Sequence, residues 1–228
     1  MAAFTRQDLI TRIRQSSDTV SATVDYPDAL LKDIASTVHI DEWKRVLDEA
    51  PYYRTQSVTV TLDANKRFAW SSLSTGAGNT AKNVYRVLEI TNVRGDNLVY
   101  HQPDRLRLAD PSRVQTTFRM WTRNGDNVQT FGTTANDTLT VLVNYTPCAV
   151  GDLASDADTV DWLNDYKPVL WYEAASIVLA KAGREVGEAQ QLAALADVMR
   201  QKMLASLRRE AATPYVMSAD DNPWEWGG

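Results

Sequence analysis

The sequence predicts an α+β chain. A helical bundle is formed by the N- and C-terminal helices, with an antiparallel β-sandwich or barrel-like module inserted between them. Three observations predict it. Apolar residues recur at spacings of three and four at both ends of the chain. They alternate with polar residues in the middle. The two periods stay segregated along the sequence, which is the mark of α+β rather than α/β organisation. At 228 residues the chain is long enough to bury a core without disulfide or metal support. Its 44% hydrophobic and 23% charged residues match ordinary globular usage and exclude wholesale disorder.

The first helix is expected over Thr5 to Arg14, where Leu9, Ile10 and Ile13 share a face. Ser16 to Asp25 has no such face and reads as a loop. The second helix opens at Tyr26-Pro27-Asp28. Proline suits a first helical turn, where its missing N–H costs nothing, and aspartate complements the positive end of the helix dipole. Leu31, Ile34, Ala35, Val38, Trp43, Val46 and Leu47 form its stripe, and Pro51 ends it near Glu49.

From Gln56 the period becomes two. Val58, Val60 and Leu62 alternate with Ser57, Thr59 and Thr61. Further strands are expected at Lys66 to Trp70, Val84 to Asn92 and Leu98 to His101. Two more, Phe118 to Thr122 and Asn127 to Phe131, flank the hairpin signal Asn124-Gly125. The last strand is Thr138 to Tyr145, with Leu139, Val141, Val143 and Tyr145 on one face. A Ser, Thr and Gly-rich loop runs from Ser71 to Asn83.

After Pro147 comes an acidic stretch, then two helices. Trp162 to Gly183 is the first. Gly187 to about Ala211 is the second, with Leu192, Leu195, Ala196, Met199 and Met203 as its inner stripe. The domain reading is therefore residues 1–54 plus 148–212 for the bundle, 55–147 for the β-module and 213–228 for an extended tail.

Charge and composition exclude several function classes. Lys plus Arg is 24 and Asp plus Glu is 29, a net charge of −5, which is a poor footprint for coating nucleic acid. One cysteine, Cys148, excludes an internal disulfide and a thiolate zinc cluster. The N-terminus carries charges where a signal peptide has its apolar stretch, and no run reaches the roughly 20 apolar residues of a membrane span. A soluble chain made in the cytoplasm is expected.

The short motifs fail in context. Gly76 to Ala81 matches G-x-G-x-x-A, but a strand pattern follows where a dinucleotide site needs a helix. Asp152, Asp156, Asp158, Asp161 and Asp165 are clustered in sequence. Counted from Asp156, however, the sixth and twelfth positions are Asp161 and Lys167, not the glycine and glutamate of an EF-hand. Arg94-Gly95-Asp96 reads as a turn. His39 and His101 stand alone, and neither G-x-S-x-G nor H-E-x-x-H occurs. No catalytic, cofactor or metal residues are assigned.

Two features point to assembly instead. Val169 to Ala180 is apolar around most of a helix. Such a helix is buried on more than one side, and a neighbouring subunit is one candidate for its second cover. Trp171, Tyr172, Ile177 and Val178 are the candidate interface residues there. The tail sets Tyr215, Met217, Trp224 and Trp226 among Pro, Asp and Gly. Aromatic anchors in a segment with no core of its own read as a partner-binding arm.

The layout resembles the adaptor, or head-to-tail connector, proteins of tailed bacteriophages that carry a β-insertion in a helical bundle. The most telling residues are WLNDYKPVLWYEAASIVLAKAGREVGEAQQLAALADVMRQKMLASLRRE, Trp162 to Glu210. They run as an aromatic and proline entry, an Ala-rich helix, a short turn and a long helix with a basic end. The short and long N-terminal helices, leading to strands through Pro51-Tyr52-Tyr53, fit the same layout.

The resemblance implies a non-enzymatic virion protein of the neck, assembled in the host cytoplasm. It implies a homo-oligomeric ring of about twelve subunits, packed head to tail so that rotation closes it, beneath the portal protein of the DNA-filled capsid. The ring would extend the channel for double-stranded DNA without sequence-specific binding. It would also carry the tail or nozzle proteins. Tyr215, Met217, Trp224 and Trp226 then become a portal-binding arm, and Gly76, Gly78 and Asn79 part of a loop facing the tail proteins. A net negative wall would repel passing phosphates. The other readings are a carbohydrate-directed β-module with Trp70 and Trp121 as stacking platforms, and an enzyme of unrecognised class.

Overall fold

A computed structural model describes residues 3–19, 25–76, 81–102, 119–182 and 186–212. Among these the chain is α+β, with four α-helices and two sheets of three and four strands.

Helix α1, Arg6–Ser16, starts at a capping box. Thr5 Oγ1 accepts from the Asp8 backbone N–H at 3.2 Å, and Asp8 Oδ2 accepts from the Thr5 N–H at 3.0 Å. The next two free N–H groups, of Arg6 and Gln7, donate to the carbonyls of Asp158 and Asp156. A segment distant in sequence thus satisfies donors that a helix start leaves open. Helix α2, Asp28–Glu49, begins after Pro27 and stops at Ala50, one residue before Pro51. Helix α3 is Lys167–Ala182 and helix α4 is Val186–Ala212.

Residues of all four helices enter one apolar cluster. It includes Leu9 and Ile13, Leu31, Trp43 and Val46, Leu170, Ala174 and Val178, and Met203 and Leu207. The expected faces of α1 and α2 are the buried ones. Val150, Leu153, Val160 and Trp162 join the same cluster, so the acidic stretch after Pro147 is a strap laid over the helices. It comes close to α2 at Gly151, whose N–H donates to Ser36 Oγ at 2.5 Å; a Cβ there would sit 2.7 Å from that oxygen. The strap also corrects the expected start of α3. Trp162 lies buried in an extended segment, its indole N–H donating to the Tyr166 carbonyl at 3.0 Å. A single 3-10 turn, Asn164–Tyr166, precedes the α-helix.

The middle of the chain forms β1 (Thr55–Thr61), β2 (Arg67–Ala69), β3 (Asn83–Asn92), β4 (Val99–Tyr100), β5 (Met120–Asn124), β6 (Asn127–Phe131) and β7 (Thr138–Thr146). One sheet has the order β1-β7-β3 and the other β2-β6-β5-β4. In the first, Val58 faces Val141 and Val60 faces Leu139 across antiparallel strands. In the second, β5 and β6 pair through the Asn124-Gly125 turn, with Gly125 at φ +61°. Both sheets contribute to a second apolar cluster, including Val60, Leu62, Phe68, Ile90, Trp121, Val128, Leu139 and Val141.

Two expectations for this module need correction. The described strands form two open sheets, not a closed barrel. The module is also not wholly antiparallel, since β4 pairs with β5 in parallel. A parallel pair requires a crossover of a dozen or more residues, and the stretch between Tyr100 and Met120 is long enough.

Candidate functional site

Helix α3 is apolar around its circumference because α1, α2 and α4 all pack on it. Of the four candidate interface residues, Val178 is 1% exposed and lies in the core of its own chain. Trp171, Tyr172 and Ile177 are half-buried at the margin. Trp171 meets the Phe4 ring edge-on at 6.1 Å, stands 6.0 Å from the Tyr172 ring and has the Arg12 guanidinium 6.0 Å from its centre.

The exposed apolar surface of the helices lies elsewhere, on α4. Leu195 and Val198 are 49% and 53% exposed and one turn apart. Leu195 had been placed on the inner stripe. The true inner line runs through Ala189, Ala196, Arg200, Met203 and Leu207. Leu195 is about 100° round the helix from Ala196 at 3.6 residues per turn. Of the expected stripe, Ala196 and Met203 are buried and Leu192 packs against the core, while Leu195 is misplaced and Arg200 is missed because a search for apolar residues passes over an arginine.

That arginine is the centre of the strongest polar cluster among the described residues. The Arg200 Nε donates to both Glu42 oxygens at 2.9 and 3.1 Å. Its Nη2 reaches Glu42 at 2.8 Å and Glu173 at 3.0 Å, and its Nη1 reaches Asp197 at 3.1 Å. Arg45 adds a second cation to Glu42 at 2.7 Å. Burial pulls down the Arg200 pKa, but hydrogen bonds and charge from Glu42, then from Glu173, outweigh it and leave it raised. Glu42 of α2, Glu173 of α3 and Arg200 of α4 are joined by this contact. Every charge in the cluster has an opposite partner within 3.1 Å, so it acts as a clamp between the helices.

The acidic residues of the strap also separate. Asp156 pairs with Arg6 at 2.7 Å and Lys32 at 3.0 Å, and these hydrogen bonds, Lys32 first, hold its carboxyl below the usual range. Asp158 accepts from the Ser155 N–H, and Asp161 pairs with Arg54 at 2.6 Å.

In the β-module, Trp121 is 8% exposed and packed in the core beside Tyr100. Trp70 has the Arg123 guanidinium 3.6 Å from its ring centre. The two tryptophans therefore do not present a pair of open faces for a sugar. A 3-10 turn, Trp70–Leu73, opens the Gly-rich loop. Thr75 and Lys82 then pair across its base, and β3 follows, as the strand pattern requires. Gly76 takes φ +79°. Gly78 and Asn79 lie outside the described residues, as do Tyr215, Met217, Trp224 and Trp226. Val93, Val99 and Tyr100 are exposed near the β4 edge.

The helices and the β-module meet at a dense joint. Asp48 at the end of α2 accepts from Tyr85 Oη at 3.0 Å and Arg86 Nη2 at 2.6 Å on β3. Asn144 Nδ2 of β7 donates to the Pro51 carbonyl at 3.2 Å. The Arg54 guanidinium lies 4.4 Å from the Trp43 ring centre and 5.6 Å from that of Tyr145, which Lys82 also approaches at 4.7 Å. Sequence reading found the Pro51-Tyr52-Tyr53 entry but none of these partners.

Against known proteins, the chain matches no family model and no curated sequence. No helix among the described residues is long and apolar enough to cross a membrane.

Proposed function

We propose that the protein is an adaptor of a tailed bacteriophage: a ring-forming neck protein that joins the portal to the tail and extends the DNA channel. The observation that carries this reading is the position of the β-module. It lies between the second and third helices, while all four helices enter one apolar cluster. An inserted module on a helical bundle closed by a long final helix is the layout expected of such an adaptor. The half-buried Trp171, Tyr172 and Ile177 and the exposed Leu195 and Val198 supply apolar surface that a neighbouring bundle would cover. The Gly76 loop and the β4 edge are the surfaces offered to tail proteins.

The test is assembly with the portal protein of the source virus, read by native mass spectrometry and electron microscopy. The full chain is expected to form closed rings on the portal. A chain that stays monomeric and binds no portal would overturn the reading. Removal of residues 213–228 is expected to leave the helical circular-dichroism signal intact and abolish portal binding. Trp224→Ala and Trp226→Ala are each expected to weaken docking by about 2 kcal/mol or more where the ring is a true anchor; titration calorimetry measures this. In the ring itself, Leu195→Glu with Val198→Glu is expected to prevent closure without changing the melting temperature of the monomer, since both side chains are already exposed.

A further inference from the structure

We infer that His39 is a proton-operated lock on the joint between the helices and the β-module, closed while the imidazole is neutral and released when its buried Nδ1 takes a proton. This inference does not depend on the adaptor reading.

The geometry assigns the closed state. His39 is fully buried on α2, and its Nε2 lies 2.8 Å from the Asp161 carbonyl. A carbonyl only accepts, so Nε2 carries the hydrogen. The Trp43 indole N–H donates to the same carbonyl at 2.9 Å. Its 3.2 Å approach to Nε2 is then a contact between two donors that share one acceptor. That leaves Nδ1 bare. It is one of only three buried side-chain polar atoms with no hydrogen-bond partner among the described residues, and a second, Asn144 Oδ1, lies at the same joint. An orphaned buried acceptor calls for an explanation. Here it is the vacant proton site of the lock.

The consequence of protonation follows from the neighbours. The Nδ1–H of an imidazolium would point into a site with no acceptor, and the added charge would be desolvated. The charged groups around the ring do not offset this. The Asp161 carboxylate favours the cation but is engaged by Arg54, whose own charge opposes it. The remaining close neighbours are the Trp43 indole and the edge-on Trp162 ring, 6.1 Å away. Burial, as the largest effect, holds the His39 pKa below the ordinary 6.5. The Asp161 carbonyl at Nε2 itself favours the cation, so relief requires water at the bare Nδ1, and the Asp161–Trp162 segment must lift off α2 to admit it. Asp161 also anchors Arg54, and Arg54 covers both Trp43 and Tyr145 of β7. Release at His39 therefore reaches the β-module in two contacts.

The sign is fixed by linkage. With the folded pKa depressed, the unfolded chain binds more protons as pH falls below 6.5, so the stability held by neutral His39 declines from there downward. Carboxylates such as Asp156 and Asp96, whose pKa values are lowered, lose their contribution as the carboxyls of the unfolded chain take up protons, from about pH 5 downward. The interval between about pH 6.5 and 5 isolates the histidine.

The chain has two histidines, so the His39 signal need be told apart only from that of His101, half-buried at the end of β4. Ring nitrogen spectra of the full chain, labelled at histidine, should show His39 as the Nε2–H tautomer titrating below the ordinary 6.5. Hydrogen exchange over residues 51–56 and 143–147 should rise through the same titration while the helical circular-dichroism signal holds. His39→Gln keeps a donor for the Asp161 carbonyl and cannot be charged, so its exchange at the joint should be flat with pH. A His39 midpoint at or above the ordinary 6.5 overturns the proposal. So does an unchanged pH response in His39→Gln, or loss of the helical signal together with the joint.

Discussion

Arg200→Ala is expected to lower the free energy of unfolding by about 3–5 kcal/mol, because it strands the Glu42 carboxylate in the interior. Glu42 is 1% exposed and depends on Arg200 for three of its contacts. Arg45 still touches it, but from a half-exposed position. Removing a charge at one end of a buried pair is far more costly than removing the pair. The double variant Arg200→Met with Glu42→Leu should therefore recover most of the loss. Urea unfolding followed by circular dichroism measures both. A single variant within 1 kcal/mol of the parent would mean that water reaches the carboxylate and that the clamp holds nothing.

Trp43→Ala is expected to cost about 3–5 kcal/mol, the range for deleting a large buried ring whose cavity cannot collapse. The side chain is 1% exposed. It meets Trp162 edge-on at 5.2 Å, stacks with Tyr53 at 6.3 Å and lies beneath Arg54. Its walls come from α2, the strap and the joint, so no single element can move in to fill the gap. Trp43→Phe keeps most of the packing and loses the indole donor. Since His39 still satisfies the Asp161 carbonyl, this variant should cost only about 1–2 kcal/mol. Equal losses for Ala and Phe would show that the hydrogen bond, not the ring volume, matters. Hydrogen exchange on β7 should rise in Trp43→Ala beyond its rise elsewhere, because the ring also carries Arg54 towards Tyr145.

What was legible in the sequence was the local part of the fold. Leu9, Ile10 and Ile13, and the stripe from Leu31 to Leu47, were read correctly as buried faces. They are apolar at helical spacing and end at a capping residue or a proline. Leu139, Val141 and Val143 alternate because one side of β7 faces the core and the other does not. The Asn124-Gly125 turn was legible because its positive φ selects the residue type. The errors have a common form. Leu195 was placed inside because it is a leucine beside Ala196, yet the inward position four residues on is Arg200. Trp162 was placed in a helix because an aromatic residue fits either period. The parallel β4–β5 pair was not foreseen because alternation within a strand says nothing about the direction of its neighbour.

The candidate site divides in the same way. The sequence could mark Trp171, Tyr172 and Ile177 as apolar residues in excess of one helix face. It could not say that Val178 is already covered by its own chain, since periodicity along one helix does not register the helices packed around it. His39, Glu42 and Arg200 carry no motif, and a search for apolar stripes passes over them because each is polar, although each lies four residues on from a buried alanine or valine. By itself, then, the sequence determined the element types, their order and the segregation of helices from strands, because these depend on propensities and periods over a few residues. Only the tertiary structure decided the two open sheets, the strap that caps α1, the clamp at Arg200 and the lock at His39. Each of those joins residues more than a hundred positions apart or depends on which side chains exclude water from a neighbour, and burial of that kind is a property of the packed chain rather than of any stretch of it.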